Sequence, residues 1–157
     1  MTASQVEFFV VPRSAIGAKT TPLTAATLAA TAWWASARVP ADYRERLAEV
    51  APAEATTTPG LESWSTHDGN RIDVTSADGR VTEIRVRVDV RRLDPKFGAA
   101  LLGFVKRAQA VLVRRDGHVA EPTVSAFSGT LRSSAAWRFV SEPPAVIADP
   151  VPDDPSS

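Results

Sequence analysis

Between Arg80 and Arg91 the chain reads RVTEIRVRVDVR, so Ile84, Val86, Val88 and Val90 alternate with Arg85, Arg87, Asp89 and Arg91. A two-residue repeat puts all four apolar side chains on one side of the backbone and all four charges on the other. A helix would scatter both sets around its axis. The segment is therefore a long strand of an antiparallel sheet, with its apolar face on a core and its charged face towards water.

The chain has 157 residues, of which 44% are hydrophobic and 23% charged, enough to bury one core without staples. It contains no cysteine, which excludes disulfides, thiolate zinc sites and thiol nucleophiles, and fits a reducing compartment. The apolar cluster Phe8 to Val11 follows Glu7 without a basic leader and is too short for a signal peptide. No apolar run approaches the ~20 residues that cross a bilayer. The expected protein is soluble and cytoplasmic. Residues 1–140 form the expected single domain. Residues 141–157 carry Pro143, Pro144, Pro150, Pro152 and Pro155 among Asp149, Asp153 and Asp154, a tail too poor in apolar surface to offset its ordering entropy.

Around the long strand the other elements fall into order. Val6 to Val11 predicts a first strand covered on both faces. From Thr21 the spacing of Ala25, Ala26, Ala29, Ala30, Trp33 and Trp34 predicts a helix reaching about Ser36, with Pro22 in its first turn. On such a helix the adjacent indoles point about 100° apart, so only one of them faces the core. Pro40 and Asp42 open a shorter helix through Tyr43, Leu47 and Val50, and residues 51–60 read as a loop. Asp68-Gly69 and Asp78-Gly79 supply the positive φ angles of tight turns, predicting a meander of Glu62 to Thr66, Arg71 to Thr75 and the long strand. Asp94 caps a helix with Pro95 in its first turn and Phe97, Leu101, Phe104, Val105 and Ala108 along one face. A strand at Val111 to Val113, a third turn at Asp116-Gly117, and a helix after Pro122 with Val124, Phe127 and Leu131 inward complete the pattern. A last short helix runs from Ala135 to Phe139, capped by Ser133 or Ser134. The sum is an α+β domain, an antiparallel sheet with helices on at least one face.

Chemistry-bearing patterns are sparse. His67 and His118 each adjoin an Asp-Gly turn, where a solvated imidazole is the simpler reading and a base oriented by Asp68 or Asp116 the sharper one. Ser125, Ser128, Ser133 and Ser134 lack a Gly-x-Ser-x-Gly elbow, and Ser128-Gly129-Thr130 reads as helix surface. No His, Asp or Glu cluster has metal-ligand spacing, and the glycines form no phosphate-binding fingerprint, so neither metal nor cofactor is expected.

Charge carries more information. Net charge is zero, yet residues 80–115 hold Arg80, Arg85, Arg87, Arg91, Arg92, Lys96, Lys106, Arg107, Arg114 and Arg115 against Glu83, Asp89 and Asp94. Arg85, Arg87 and Arg91 share a strand face, and Arg114 and Arg115 would join them if their strand lay alongside. This is the candidate binding surface. It suits a phosphate backbone, although Glu83 and Asp89 interrupt it and no aromatics interleave for base stacking. A plain solvated face with cross-strand ion pairs to residues such as Asp73 is the simpler reading.

The pattern of Trp64, Gly69, Ile72, the Val86 to Arg91 strand, Leu101, Ala108, Gly117, Pro122, Leu131, Ser134, Ala135, Phe139 and Val140 resembles small α+β bacterial proteins of uncharacterised function. Some of these are similar to immunity proteins of polymorphic toxin systems. The resemblance implies a cytoplasmic, non-catalytic module that binds another protein, such as a toxin or effector, and it assigns no functional residue. A nucleic-acid accessory protein and an enzyme with a histidine-containing pocket are the alternatives. If the long strand lay outermost, its free edge would allow two copies to join sheets as a homodimer.

Overall fold

A computed structural model describes residues 3–16 and 23–141. In chain order its elements are β1 (Gln5–Pro12), α1 (Arg13–Ile16), α2 (Ala25–Ala30), α3 (Tyr43–Val50), β2 (Ala53–Glu54), β3 (Leu61–Ser65), β4 (Arg71–Ala77), β5 (Arg80–Asp89), α4 (Pro95–Arg107), β6 (Ala110–Arg114), β7 (Val119–Ala120), α5 (Val124–Arg132) and α6 (Ala135–Ser141). Thr21, Pro22 and the tail from residue 142 lie outside the described residues.

All seven strands form one antiparallel sheet in the order β2-β3-β4-β5-β1-β6-β7. The α+β class and the β3–β4–β5 meander stand as expected. β1 enters the middle, pairing Val6 with Val88 and Phe8 with Val86 on one side, and Val10 with Leu112 on the other. β5 is thus hydrogen-bonded to β4 and β1, which closes the edge route to a sheet-joined dimer. The outermost strands of the sheet, β2 and β7, have two residues each, which leaves little backbone free for pairing.

The strand register sorts the side chains. Val6, Phe8 and Val10 share a face with Ile84, Val86, Val88, Ile72, Val74 and Trp64, all buried. On this face α4 contributes Phe97, Leu101, Phe104 and Val105, and α5 stacks Phe127 5.6 Å from the Phe8 ring. α3 packs on α4 and β3, with Tyr43 edge-on to Trp64 at 6.5 Å. Asp94 caps α4 by accepting from the Lys96 N–H, with Pro95 in the first turn. On the opposite face Phe9, Val11, Val111 and Val113 are also buried, so β1 and β6 are covered on both sides. Leu23 lies against the β6–β7 turn, where a Cβ on Gly117 (φ +97°) would collide with the Leu23 carbonyl oxygen. That turn requires glycine.

Several expectations are corrected. The helix expected to reach Ser36 ends at Ala30, and Thr31 is already extended. Both indoles therefore turn inward, with Trp33 at 3% and Trp34 at 2% exposure. Tertiary hydrogen bonds outweigh helix propensity here: the Trp34 N–H donates to the Thr82 carbonyl at 3.2 Å, and its Nε1 donates to the Val10 carbonyl at 2.8 Å. Trp34 thereby fills the gap where β1 and β5 part. The loop at 51–60 contains β2, which pairs Ala53 with Trp64 and Glu54 with Ser63. β5 stops at Asp89, whose carboxylate turns back to accept the Arg91 N–H at 3.0 Å. Val124 is 70% exposed rather than inward, whereas Thr130, expected on the helix surface, is buried. Among the described residues no helix is long and apolar enough to cross a membrane.

Tyr43 ties α3 to the sheet by donating 2.6 Å to Glu62 Oε1. Burial, followed by this hydrogen bond, pushes its phenol up to about 12. The folded chain then holds the phenolic proton more tightly than the unfolded chain, whose tyrosine titrates near 10. The resulting stability is whole below that value and is lost as pH rises through the folded pKa. Chemical denaturation should show a stability advantage of wild type over Tyr43→Phe that is constant below pH ~10 and shrinks towards pH 12.

Candidate functional site

Beyond β1 the second face of the sheet carries charge instead of apolar cover. The register places Arg71, Asp73 and Thr75 of β4 beside Arg87, Arg85 and Glu83 of β5, with Ser63 of β3 and Glu54 of β2 on the same face. Glu7 of β1 lies opposite Arg87 on the inner side. Five guanidiniums (Arg71, Arg85, Arg87, Arg91, Arg115) thus meet five carboxylates (Glu7, Glu54, Asp73, Glu83, Asp89) around this face.

Three of the ion pairs around this face join residues two apart in the chain, and three, Arg71–Glu54, Arg85–Glu7 and Arg115–Glu7, join separate segments. Arg71 Nε reaches Asp73 Oδ1 at 2.9 Å, Arg85 Nε reaches Glu83 Oε2 at 2.6 Å, and Arg91 reaches Asp89 Oδ2 at 3.4 Å. Each is an i,i+2 pair: for Arg71 with Asp73 and Arg85 with Glu83 the two-residue strand period brings the neighbours to one face, whereas Arg91 lies just past the end of β5 and reaches back to Asp89. The expected cross-strand partner for Asp73 is replaced by Arg71 on its own strand, helped by the Ser63 hydroxyl donating to the same carboxylate. Arg71 also reaches Glu54 at 2.7 Å. Glu7, with a side chain only 7% exposed, lies 3.7 Å from Arg85 and 3.9 Å from Arg115. Burial pushes the Asp89 carboxyl up, but hydrogen bonds from the Arg91 guanidinium and backbone outweigh it and hold the group below the usual carboxylate range. Asn70 fixes the end of the face: it donates to the Arg92 carbonyl and accepts the Asp89 N–H.

Arg87 is the exception. Its Nε is buried and meets no protein acceptor, and no carboxylate pairs with it among the described residues. Its neighbours explain why. Arg85 precedes it by two and Arg71 lies opposite, while Asp89 is engaged by Arg91 and Glu7 by Arg85 and Arg115. Arg85 is further held over the Phe9 ring at 4.8 Å.

Of the sequence-predicted site residues, Arg85, Arg87, Arg91 and Arg115 gather around this face, and Arg114 does not. It lies opposite Phe8 on the helix-covered side, with its side chain 12% exposed. There it chelates Asp116 through two 2.8 Å hydrogen bonds and donates to the Thr130 carbonyl and Ser133 Oγ, joining the β6–β7 turn to the end of α5. The guanidinium holds the Asp116 carboxyl below its usual range. Arg114 is structural, and the parity of β6 against β1 decides it.

The histidines do not assemble a site. Both are exposed, in turns at the same end of the sheet but separated by the widths of β5 and β1, about 14 Å from β4 to β6. Ser134 Oγ caps α6 by accepting the Trp137 N–H, and Ser133 serves Arg114. Among the described residues no group of three His, Asp or Glu side chains could hold a metal. Sequence reasoning missed buried Glu7 and its two arginines. The i,i+2 pairs were visible as Arg71-x-Asp73, Glu83-x-Arg85, Asp89-x-Arg91 and Arg114-x-Asp116.

Fold and site together define an antiparallel α+β domain whose sheet is covered on both faces around β1 and β6 and carries an ion-paired surface across β3 to β5 on the face opposite Phe8. Comparisons with protein-family models, curated proteins and solved structures found no match. Arg114→Ala should cost about 2–3 kcal/mol in urea denaturation, because it leaves the Thr130 carbonyl and Ser133 without their charged donor. It should also speed amide exchange at the end of α5.

Proposed function

We propose that this chain is a non-catalytic protein-binding module whose contact surface is the charged face of β3, β4 and β5. The observation supporting it most directly is Arg87, a partly buried guanidinium without a partner amid arginines that all have one. A partner carboxylate or carbonyl reaching this position would meet a cation that needs no existing ion pair broken. Fully satisfied neighbours hold the surrounding side chains in place, which lowers the ordering cost of contact. Masking of another cytoplasmic protein, such as a toxin or effector, is the form of binding that the sequence resemblance suggests.

A phosphate backbone suits the face less well, because Glu7, Glu54, Asp73, Glu83 and Asp89 offset its arginines and leave no cationic stripe for it to follow. An enzymatic role would need groups gathered around His67 or His118, and both imidazoles stand exposed and apart.

The test is capture of partners by tagged wild type and Arg87→Glu from nuclease-treated extract of the native cell, with circular dichroism confirming that both are folded. The expected result is one stoichiometric protein, whose affinity, remeasured with the purified pair, falls at least about tenfold in the variant. Equal retention by the variant, or recovery of nuclease-sensitive material alone, would overturn the reading.

A further inference from the structure

At the end of the sheet away from Gly69, a cleft of about 380 Å³ opens between the segment from Trp34 to Arg44 and the β4–β5 hairpin. Its size is at the low end of the range for small-molecule sites, about 300–1,000 Å³. Both walls are held. Trp34 is pinned to β5 through the Thr82 carbonyl and to β1 through the Val10 carbonyl, and the hairpin tip is a tight turn with Asp78 at φ +54° and Gly79 at φ +78°. Val39 and Val81 pack against the core and, with Pro40, give the cleft an apolar lining.

The charges around this lining have one sign. Arg38, Arg44 and Arg80 line the cleft, and no Asp or Glu does. Arg44 is already engaged: its Nε donates 2.6 Å to Glu62 Oε2, on the carboxylate that also takes the Tyr43 hydroxyl. Arg38 and Arg80 are exposed, and among the described residues neither has a carboxylate within ion-pair distance. Two unpaired guanidiniums thus stand over a partly apolar hollow, Arg38 in the segment before α3 and Arg80 at the first residue of β5, five residues along the chain from Arg85. Guanidinium forks match planar or tetrahedral oxyanions, and the apolar wall favours a hydrocarbon body attached to one.

We propose that this cleft is a binding site for a small organic anion, an aromatic or aliphatic body bearing one carboxylate or phosphate group, held between Arg38 and Arg80.

The test is NMR titration of the full-length 15N-labelled chain with benzoate, phenyl phosphate, benzyl alcohol and inorganic phosphate. Binding at the cleft predicts saturable shifts of the Trp34 indole N–H and the Ala37 and Gly79 amides with benzoate, phenyl phosphate or both. The tighter of the two identifies the preferred oxyanion. Benzyl alcohol lacks the charge and inorganic phosphate the apolar body, so each should bind more weakly. Arg38→Gln and Arg80→Gln, both at exposed positions, should each weaken the organic anion about tenfold while leaving the remaining spectrum unchanged. The proposal is overturned if no shift saturates, if inorganic phosphate matches the organic anions, or if both variants bind as wild type does.

Discussion

The insertion of β1 between β5 and β6 is the constraint on which the rest of the structure depends. Every residue from Val6 to Pro12 is buried, because the strand has a paired neighbour on each side and cover on each face. Without it the sheet would divide into the β2–β5 meander and the β6–β7 hairpin, each with a long open edge. The pairings are remote in sequence, Val6 with Val88 and Val10 with Leu112, so the first strand must wait for the last strands before it can close the core. Trp34 completes the insertion by giving the Val10 carbonyl a donor where β5 has turned away.

From this arrangement follows the difference between the two halves of the second face. Around β1 and β6 it is apolar and buried, whereas across β3 to β5 it holds paired charges. Ion pairing between near neighbours suits such a half-buried surface: Arg71, Arg85 and Arg91 each find a carboxylate two residues away, a pairing that survives small shifts between strands, while Glu7 and Glu54 add pairs across them. Arg87 falls outside this scheme because the scheme is local. Arg85 stands two residues before it, and Asp89, two residues after, is committed to Arg91. A lone donor of this kind costs stability, which is intelligible in a residue kept for contact with something else.

Much of the fold was legible because its signals are local. The alternation of Ile84, Val86 and Val88 with arginines defines β5, Asp78-Gly79 defines its hairpin, and Asp94-Pro95 marks the start of α4. What stayed hidden depends on contacts remote in sequence. Nothing near Trp33 and Trp34 announces that the helix pattern ends at Ala30, since the competing hydrogen bonds come from Thr82 and Val10. A two-residue period says that Arg114 and Arg115 face opposite ways but not which of them joins Arg85; that follows from Phe8 lying opposite Arg114. Glu7 reads as a charge interrupting an apolar run until β5 and β6 bring Arg85 and Arg115 to it. The candidate face was thus visible in outline from β5, while its inner border and its one unpaired cation required the assembled sheet.

The most direct test of this account is the folding stability of Arg87→Leu beside wild type, measured by urea denaturation at low ionic strength. If Arg87 is kept for recognition, leucine removes a buried donor without an acceptor and a cation facing Arg71 and Arg85, so stability should hold or rise by about 1 kcal/mol. A loss of more than about 1 kcal/mol would show that Arg87 supports the fold through interactions of its own, contradicting the view of this face as a surface prepared for a partner.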